Sequence, residues 1–217
     1  MYNGKQVSIC IPTVNNYVGL REELESIEAG SIKPDKYYII NNGGNFSIDI
    51  PGRMYIHNTP RISLAACWNW FIDNVPEYRI IINDDIVFYN DTLEVFLKAI
   101  KDDAIYFPYG IDRINSFSFF SMPDSIVQRV GRFDEEFYPA YFEDNSYDYR
   151  LGLAGTHVMG VYDCNLIHRG SQTIQNYTSA QINQHHKDFE KSRQLYIKMW
   201  GGMPKQETFT EAYNGKR

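Results

Sequence analysis

Short apolar segments separated by helix-like stretches constrain the fold of this chain more than any other feature. Residues 7–11, 37–40, 53–57 and 78–82 are β-forming runs, and apolar residues recur at near-helical spacing over 18–27 and 63–74. Strands that are apolar at nearly every position are typical of a parallel sheet buried on both faces by helices. The first half is therefore predicted to be α/β, with a mostly parallel central sheet of the nucleotide-binding kind.

The second half has a less regular pattern. Strands are predicted over 104–109, 116–121, 157–162 and 165–167, short helices over 123–130 and 146–154, and a long helix over 179–200. These elements suggest a smaller mixed sheet extension. We expect one domain over residues 1–202, followed by a polar tail over 203–217 that is predicted to be mobile.

Charge and cysteine content narrow the class of protein. The formal net charge of -6 and the pI of about 5.4 argue against a general polyanion binder, so no nucleic-acid partner is expected. Cys10, Cys67 and Cys164 lie in apolar settings that are typical of small buried hydrophobes, which suits a reducing compartment. No apolar run approaches the roughly 20 residues of a membrane span. We therefore expect a soluble cytoplasmic protein without a transmembrane segment.

An acidic turn follows the strand at 78–82. In sheets of this type, loops after the strands converge on one cleft, so Asp84 and Asp85 are expected there beside Asn83. Two adjacent carboxylates without a nearby Lys or Arg repel unless a cation joins them, and Mg2+ or Mn2+ takes oxygen ligands that it shares with substrate phosphates. A turn or a helix N-cap is the alternative role. Asn90 and Asp91 are better placed to cap the next helix, which favours the metal site.

A second group of acids and a histidine also qualify as site residues. Residues 134–136 and the pair Glu143 and Asp144 lie among Phe and Tyr, where desolvation raises a carboxyl pKa and suits a general base. A solvated acidic face is the alternative. His168 follows a strand end and is a candidate metal ligand beside a lone carboxylate, although a single His is more often structural.

The order of these motifs is similar to that of a known family. The matching segments are residues 7–13, 41–43, Asn69, 83–85, 133–135, Glu143 with Asp144, and 198–200. In this order the chain resembles GT-A glycosyltransferases of family 2 over nearly its whole length. The resemblance implies a Rossmann-like GT-A fold, with a nucleotide-binding half over about 1–100 and an acceptor-binding half over about 101–202. It also implies inverting transfer from a nucleoside-diphosphate sugar to a hydroxyl of a glycan or other acceptor.

The resemblance also assigns roles to residues. Asp85 matches the direct ligand of Mn2+ or Mg2+, His168 matches a further metal ligand, and Asp144 matches the catalytic base, with Glu143 beside it. Arg61 and Arg169 flank the predicted cleft and can add positive charge for the diphosphate. The positions expected to contact the donor are Pro12, Thr13, Asn15, Asn41, Arg61, Asn69, Asn83 and Asp84.

Two departures from the family pattern concern the donor. Asn41 and Asn83 stand where many relatives have Asp, and Asn can still accept from a pyrimidine N–H. A UDP- or dTDP-sugar is therefore favoured. The Gln-x-x-Arg-Trp motif of processive relatives is absent from the sequence, which favours transfer of one sugar.

Other functions fit the sequence less well. A sugar-nucleotide nucleotidyltransferase would have a Gly-rich basic loop after the first strand, and residues 12–16 read Pro-Thr-Val-Asn-Asn. A dinucleotide-dependent oxidoreductase would have a Gly-x-Gly-x-x-Gly turn there. A catalytically inactive protein that binds a carbohydrate or nucleotide sugar on the same scaffold stays open as an alternative.

Overall fold

The computed structural model describes residues 1–43, 53–76, 78–110, 116–170 and 178–216. In chain order the elements are β1 (Val7–Thr13), α1 (Tyr17–Ala29), β2 (Lys36–Asn42), β3 (Met54–Thr59), α2 (Leu64–Asn74), β4 (Tyr78–Ile82), β5 (Ile86–Phe88), α3 (Thr92–Ala99), β6 (Ile105–Tyr109), β7 (Phe119–Ser121), α4 (Asp124–Val130), α5 (Glu143–Leu153), β8 (Val158–Tyr162), β9 (Leu166–His168) and α6 (Ser179–Trp200). Single 3-10 turns cover Ser116–Ser118 and Ala212–Gly215.

A five-stranded sheet with the order β3-β2-β1-β4-β7 forms the centre of the fold. Its first four strands are parallel, and β7 pairs with β4 in the antiparallel direction. Every residue of β1 is buried, and successive side chains face opposite sides of the sheet. Ile9 and Ile11 pack with α1 and α3, whereas Cys10 packs with α2. This arrangement confirms the predicted parallel sheet with helices on both faces.

The second half differs from the sequence prediction in detail. The expected extension consists of two separate pairs, β5 with β9 antiparallel and β6 with β8 parallel. The strand predicted over 116–121 begins with a 3-10 turn and is extended only from Phe119. β5 was not predicted, because its three residues are too few to show a periodic pattern.

Capping of α3 was predicted only in part. Asp91 occupies the N-cap position, but it makes no side-chain cap bond within the described part of the chain. Instead, the Thr92 hydroxyl accepts a hydrogen bond of 2.8 Å from the backbone N–H of Tyr89. Asp91 therefore occupies the N-cap position as predicted, but its side chain does not form the expected hydrogen bond to the helix in the described part of the chain.

The polar tail was predicted to be mobile and is instead packed against the domain. Gly201 has a φ of 76°, which reverses the chain after α6. Met203, Ala212 and Tyr213 then pack against the aromatic cluster of α5 and α6. The Tyr149 hydroxyl donates a hydrogen bond of 2.9 Å to the carbonyl oxygen of Phe209. Burial of a few apolar residues is thus enough to hold the tail against the domain, although most of its residues are polar.

Two further expectations concern burial and membrane association. Cys10, Cys67 and Cys164 are buried and form no disulfide among the described residues, which confirms their reading as small core residues. Over the same ranges, no helix combines the length and hydrophobicity needed to cross a bilayer.

Candidate active site

The acidic turn between β4 and β5 is held by the backbone on two sides. The Asn83 N–H donates to the Ser118 carbonyl at 2.9 Å, and the Arg169 N–H donates to the Asp85 carbonyl at 3.0 Å. Antiparallel pairing of β5 with β9 places Ile86 opposite His168. Strand pairing therefore brings the histidine to the turn.

Asp85 and His168 form a close pair that is not a hydrogen bond. His168 Nε2 lies 3.1 Å from Asp85 Oδ1, and Asp85 is 7% exposed. Asp85 Oδ1 nevertheless has no hydrogen-bond partner among the residues described. Two ligand atoms that are each about 2.1 Å from an octahedral ion lie about 3 Å apart. The pair therefore fits two neighbouring ligands of one divalent cation.

These two residues account for only part of a coordination shell. Across the described ranges, no group of three or more His, Cys, Asp or Glu side chains is arranged to hold a metal ion. Mg2+ and Mn2+ usually complete their shells with water and substrate phosphates rather than with a full protein cage. Two protein ligands are consistent with that mode.

Asp84 is directed away from this pair and fastens the turn to β1 and α1. The Thr13 hydroxyl donates to Asp84 Oδ2 at 2.6 Å, and Asn16 Nδ2 donates to the Asp84 carbonyl at 2.8 Å. The Asp84 pKa is raised to about 6, chiefly by burial, with the Thr13 hydrogen bond lowering it and the charge of Asp85 raising it. Thr13 and Asp84, both expected to contact a donor, are thus bonded to each other.

The ends of β1 and β2 carry the other predicted donor contacts. Pro12 is buried, whereas Asn15 is exposed. Asn41 is fully buried, where its Oδ1 accepts from the Tyr17 hydroxyl at 3.0 Å and its Nδ2 donates to Asn58 Oδ1 at 2.7 Å. Tyr17 was not identified from the sequence as a partner of Asn41. Its position at the start of α1, next to the loop after β1, could have indicated that it lies near the end of β2.

Arg61 and Asn69 have different surroundings. Arg61 is exposed, and a carbon of its side chain lies 3.7 Å from where a β-carbon on Gly43 would be. The aliphatic part of the Arg61 side chain therefore lies beside the carboxyl end of β2. Asn69 is buried, and its Nδ2 donates to the Phe133 carbonyl at 3.0 Å and to Glu135 Oε1 at 2.8 Å. Its Oδ1 accepts from the Phe133 N–H at 2.9 Å, so Asn69 joins α2 to the segment at residues 133–135.

The second acidic pair lies at the start of α5. Glu143 is 3% exposed, and its Oε2 has no hydrogen-bond partner in the described structure. Burial, followed by the charge of Asp144, raises the Glu143 pKa to about 8. Asp144 is only half-buried, and its Oδ1 accepts from the Asn145 N–H at 2.8 Å. Glu143 therefore carries a proton at neutral pH, which leaves Asp144 as the better proton acceptor of the pair.

A chain of contacts links the two acidic sites. Ser118, which is bonded to Asn83, follows Phe117, whose ring centroid lies 6.3 Å from that of Tyr147. Tyr147 lies one helical turn after Glu143 on α5. Packing between Phe117 and Tyr147 therefore connects the segment beside the acidic turn to α5, on the side of the sheet that α2 covers.

Comparison with known proteins supports the fold and does not assign a family. No protein-family model matches the chain, and no curated protein matches it by sequence. Among solved structures, the mannosyltransferase PcManGT from Pyrobaculum calidifontis, in complex with GDP-Man and Mn2+, has a TM-score of 0.59 at 14% identity over 79% of this chain and 60% of its own. TarS 1-349 from S. aureus has a TM-score of 0.54 at 12% identity over 74% of this chain and 59% of its own.

A third similar structure is the catalytic domain of Drosophila beta1,4-galactosyltransferase 7 in complex with xylobiose. Its TM-score is 0.57 at 11% identity, over 80% of this chain and 74% of its own. The chain spans only about three fifths of the length of the first two structures. At these identities the likeness shows the fold, which is the GT-A fold expected from the sequence.

Proposed function

We propose that this protein, on the premise of its GT-A fold, is a metal-dependent inverting glycosyltransferase. It transfers one sugar from a nucleoside-diphosphate sugar to a hydroxyl of a glycan or other acceptor. The observation that carries the proposal is the Asp85 and His168 pair, 3.1 Å apart at the carboxyl edge of the parallel sheet. A separate carboxylate pair, Glu143 and Asp144, is available in the first turn of α5, and the similar mannosyltransferase was solved with GDP-Man and Mn2+.

Asp85 and His168 are the residues that would hold the cation. Asp85 would supply a carboxylate oxygen of the kind that suits Mn2+ and Mg2+, and His168 would supply an imidazole nitrogen. When bound, such an ion neutralises the charge that develops on the departing nucleoside diphosphate. Asp84 acts through the backbone, because its bonds to Thr13 and Asn16 fix the turn that presents Asp85.

The donor nucleotide is proposed to bind along the ends of β1 and β2. Pro12, Asn15 and Asn41 are positioned there, and Asn83 begins the adjoining turn. Arg61 lies beside this edge and adds positive charge for the phosphates. The second cationic candidate, Arg169, is already paired with Glu22, so its contribution is smaller. A UDP- or dTDP-sugar remains the favoured donor.

Asp144 is proposed to be the catalytic base. It takes the proton of the acceptor hydroxyl while that oxygen forms a bond to the anomeric carbon and the bond to the diphosphate breaks. The proton ends on Asp144, and the electron pair of the broken bond leaves with the nucleoside diphosphate. Glu143, which is protonated at neutral pH, keeps a second negative charge away from the incoming acceptor.

Two substitutions separate the roles of base and metal ligand. Asp144→Asn removes the proton acceptor, so donor binding in the presence of Mn2+ should persist while turnover falls on the order of 10²- to 10⁴-fold. Asp85→Ala should abolish the Mn2+ dependence of donor binding. Calorimetry with UDP- and dTDP-sugars measures binding, and nucleoside diphosphate release measures turnover. Wild-type turnover by the Asp144→Asn protein would exclude Asp144 as the base.

A further inference from the structure

Glu23, in the middle of α1, is a buried carboxyl group that the proposed mechanism does not use. Its side chain is 0% exposed, and neither carboxyl oxygen has a hydrogen-bond partner within the described ranges. Its neighbours on the buried face of the helix are Leu20, Leu24 and Ile27. A buried polar group without a partner is unfavourable for folding and calls for an explanation.

Contacts at the two ends of α1 show what Glu23 faces. At the start of the helix, Asn16 Nδ2 donates to the Asp84 carbonyl at 2.8 Å. Further along, the Phe88 N–H donates to Ser26 Oγ at 3.0 Å. The helix therefore runs beside residues 84–88, and the face between these two contacts contains Glu23.

The acidic turn acts directly on this carboxyl group. After burial, the charges of Asp84 and then Asp85 are the causes that raise the Glu23 pKa well above its ordinary value. The adjacent Glu22 contacts Arg169, whose backbone N–H donates to the Asp85 carbonyl at 3.0 Å. Glu23 thus lies on the face of α1 that packs against the acidic turn and β5.

We infer that Glu23 is a positioning residue for the divalent cation at Asp85 and His168, and that it accepts hydrogen bonds from water molecules bound to that cation. The inference rests on the proposed function, because it assumes the same cation site. Direct ligation does not fit the arrangement, since the described residues contain no three acidic, His or Cys side chains grouped to hold one ion. Partners of this outer kind typically change metal affinity about 10- to 100-fold when they are removed.

A purely structural role predicts different behaviour. A structural carboxyl would bond to the protein, and its loss would lower stability without affecting cation binding. A carboxyl kept for the cation instead weakens the metal-free fold and strengthens metal binding. Replacing a structural Glu23 would therefore lower stability and leave metal affinity unchanged. Replacing a Glu23 that serves the cation would raise the stability of the metal-free protein and lower its metal affinity.

The test compares Glu23→Gln and Glu23→Leu with Glu25→Gln, an exposed control on the same helix. Thermal unfolding of the metal-free proteins and titration calorimetry with MnCl2, without donor, are the two measurements. Both Glu23 variants should melt at or above the wild-type temperature. Mn2+ affinity should fall about 10-fold in Glu23→Gln and up to about 100-fold in Glu23→Leu, and Glu25→Gln should change neither quantity.

Three outcomes overturn the inference, and they are distinguishable. Wild-type Mn2+ affinity in both Glu23 variants would overturn it alone, provided that Asp85→Ala abolishes binding. Lower melting temperatures with unchanged affinity would make Glu23 structural. A wild-type protein that binds no Mn2+ would overturn the proposed cation site as well.

Discussion

At the scale of single residues, the two acids at the start of α5 differ because of burial. The Glu143 pKa is raised from 4.5 to about 8, so between these pH values the unfolded chain ionises this group while the folded protein does not. The group therefore reduces wild-type stability progressively from about pH 4.5 to about pH 8, and the loss is complete above that.

Glu143→Gln removes this contribution while keeping the shape of the side chain. Relative to wild type, its free energy of unfolding should increase as the pH rises through this window, and the difference should level off above about pH 8. Urea denaturation of both proteins across the pH range measures this difference in the free energy of unfolding. Parallel stability curves for the two proteins would show that Glu143 is ionised in the fold.

Sequence reasoning placed the acidic turn, but it did not give the partners of individual side chains. Asp84 and Asp85 are adjacent in sequence and face different partners, because Thr13 holds the first and β9 brings His168 to the second. Glu23 was overlooked although it lies on the same helical face as Leu20 and Ile27, where spacing alone predicts an apolar residue. A charged residue on an apolar stripe was the available signal.

At the scale of elements, α1 connects β1 to the acidic turn through its N-cap. The Asn16 side chain accepts from the Gly19 N–H at 3.3 Å and also donates to the Asp84 carbonyl at 2.8 Å. Asn16→Ala should therefore lose both the cap, which contributes about 0.5–2 kcal/mol, and the anchor of the turn.

Thr178→Ala is the matched control, because Thr178 caps α6 by accepting from the Gln181 N–H at 3.3 Å and is exposed. Both variants should lower the free energy of unfolding, but only Asn16→Ala should also weaken Mn2+ binding. Urea denaturation and MnCl2 titration give the two readouts. Equal Mn2+ affinity in both variants would contradict a role for α1 in positioning the turn.

Elements with many residues were predicted well, whereas β5 was missed and the pairing of the short strands was not predicted. The apolar runs of β1, β2 and β4 require cover on both faces, so the alternation of strands and helices in the first half could be read from periodicity. β5 and β9 have three residues each, and their pairing joins segments far apart in sequence. Such pairing is decided by tertiary contacts rather than by local pattern.

At the scale of the whole molecule, the sheet brings residues from distant parts of the chain to one edge. Parallel strands place the residues after β1, β2 and β4 together, which was predictable because ligands of open α/β sheets bind at their carboxyl ends. The packed tail was not predictable from polar composition, since Phe209 and Tyr213 reach α5 and α6 only in the folded chain. The GT-A fold and the two acidic sites together carry the functional proposal.

Release of nucleoside diphosphate from UDP-, dTDP- and GDP-sugars, with Mn2+ and with EDTA, decides whether this protein is a metal-dependent glycosyltransferase. We expect that the wild-type protein turns over at least one donor with Mn2+, that EDTA stops turnover, and that the Asp85→Ala protein behaves like the chelated wild type. A donor that binds and is never turned over, with or without Mn2+ and with glycan acceptors present, would exclude transferase activity and identify a nucleotide-sugar-binding protein.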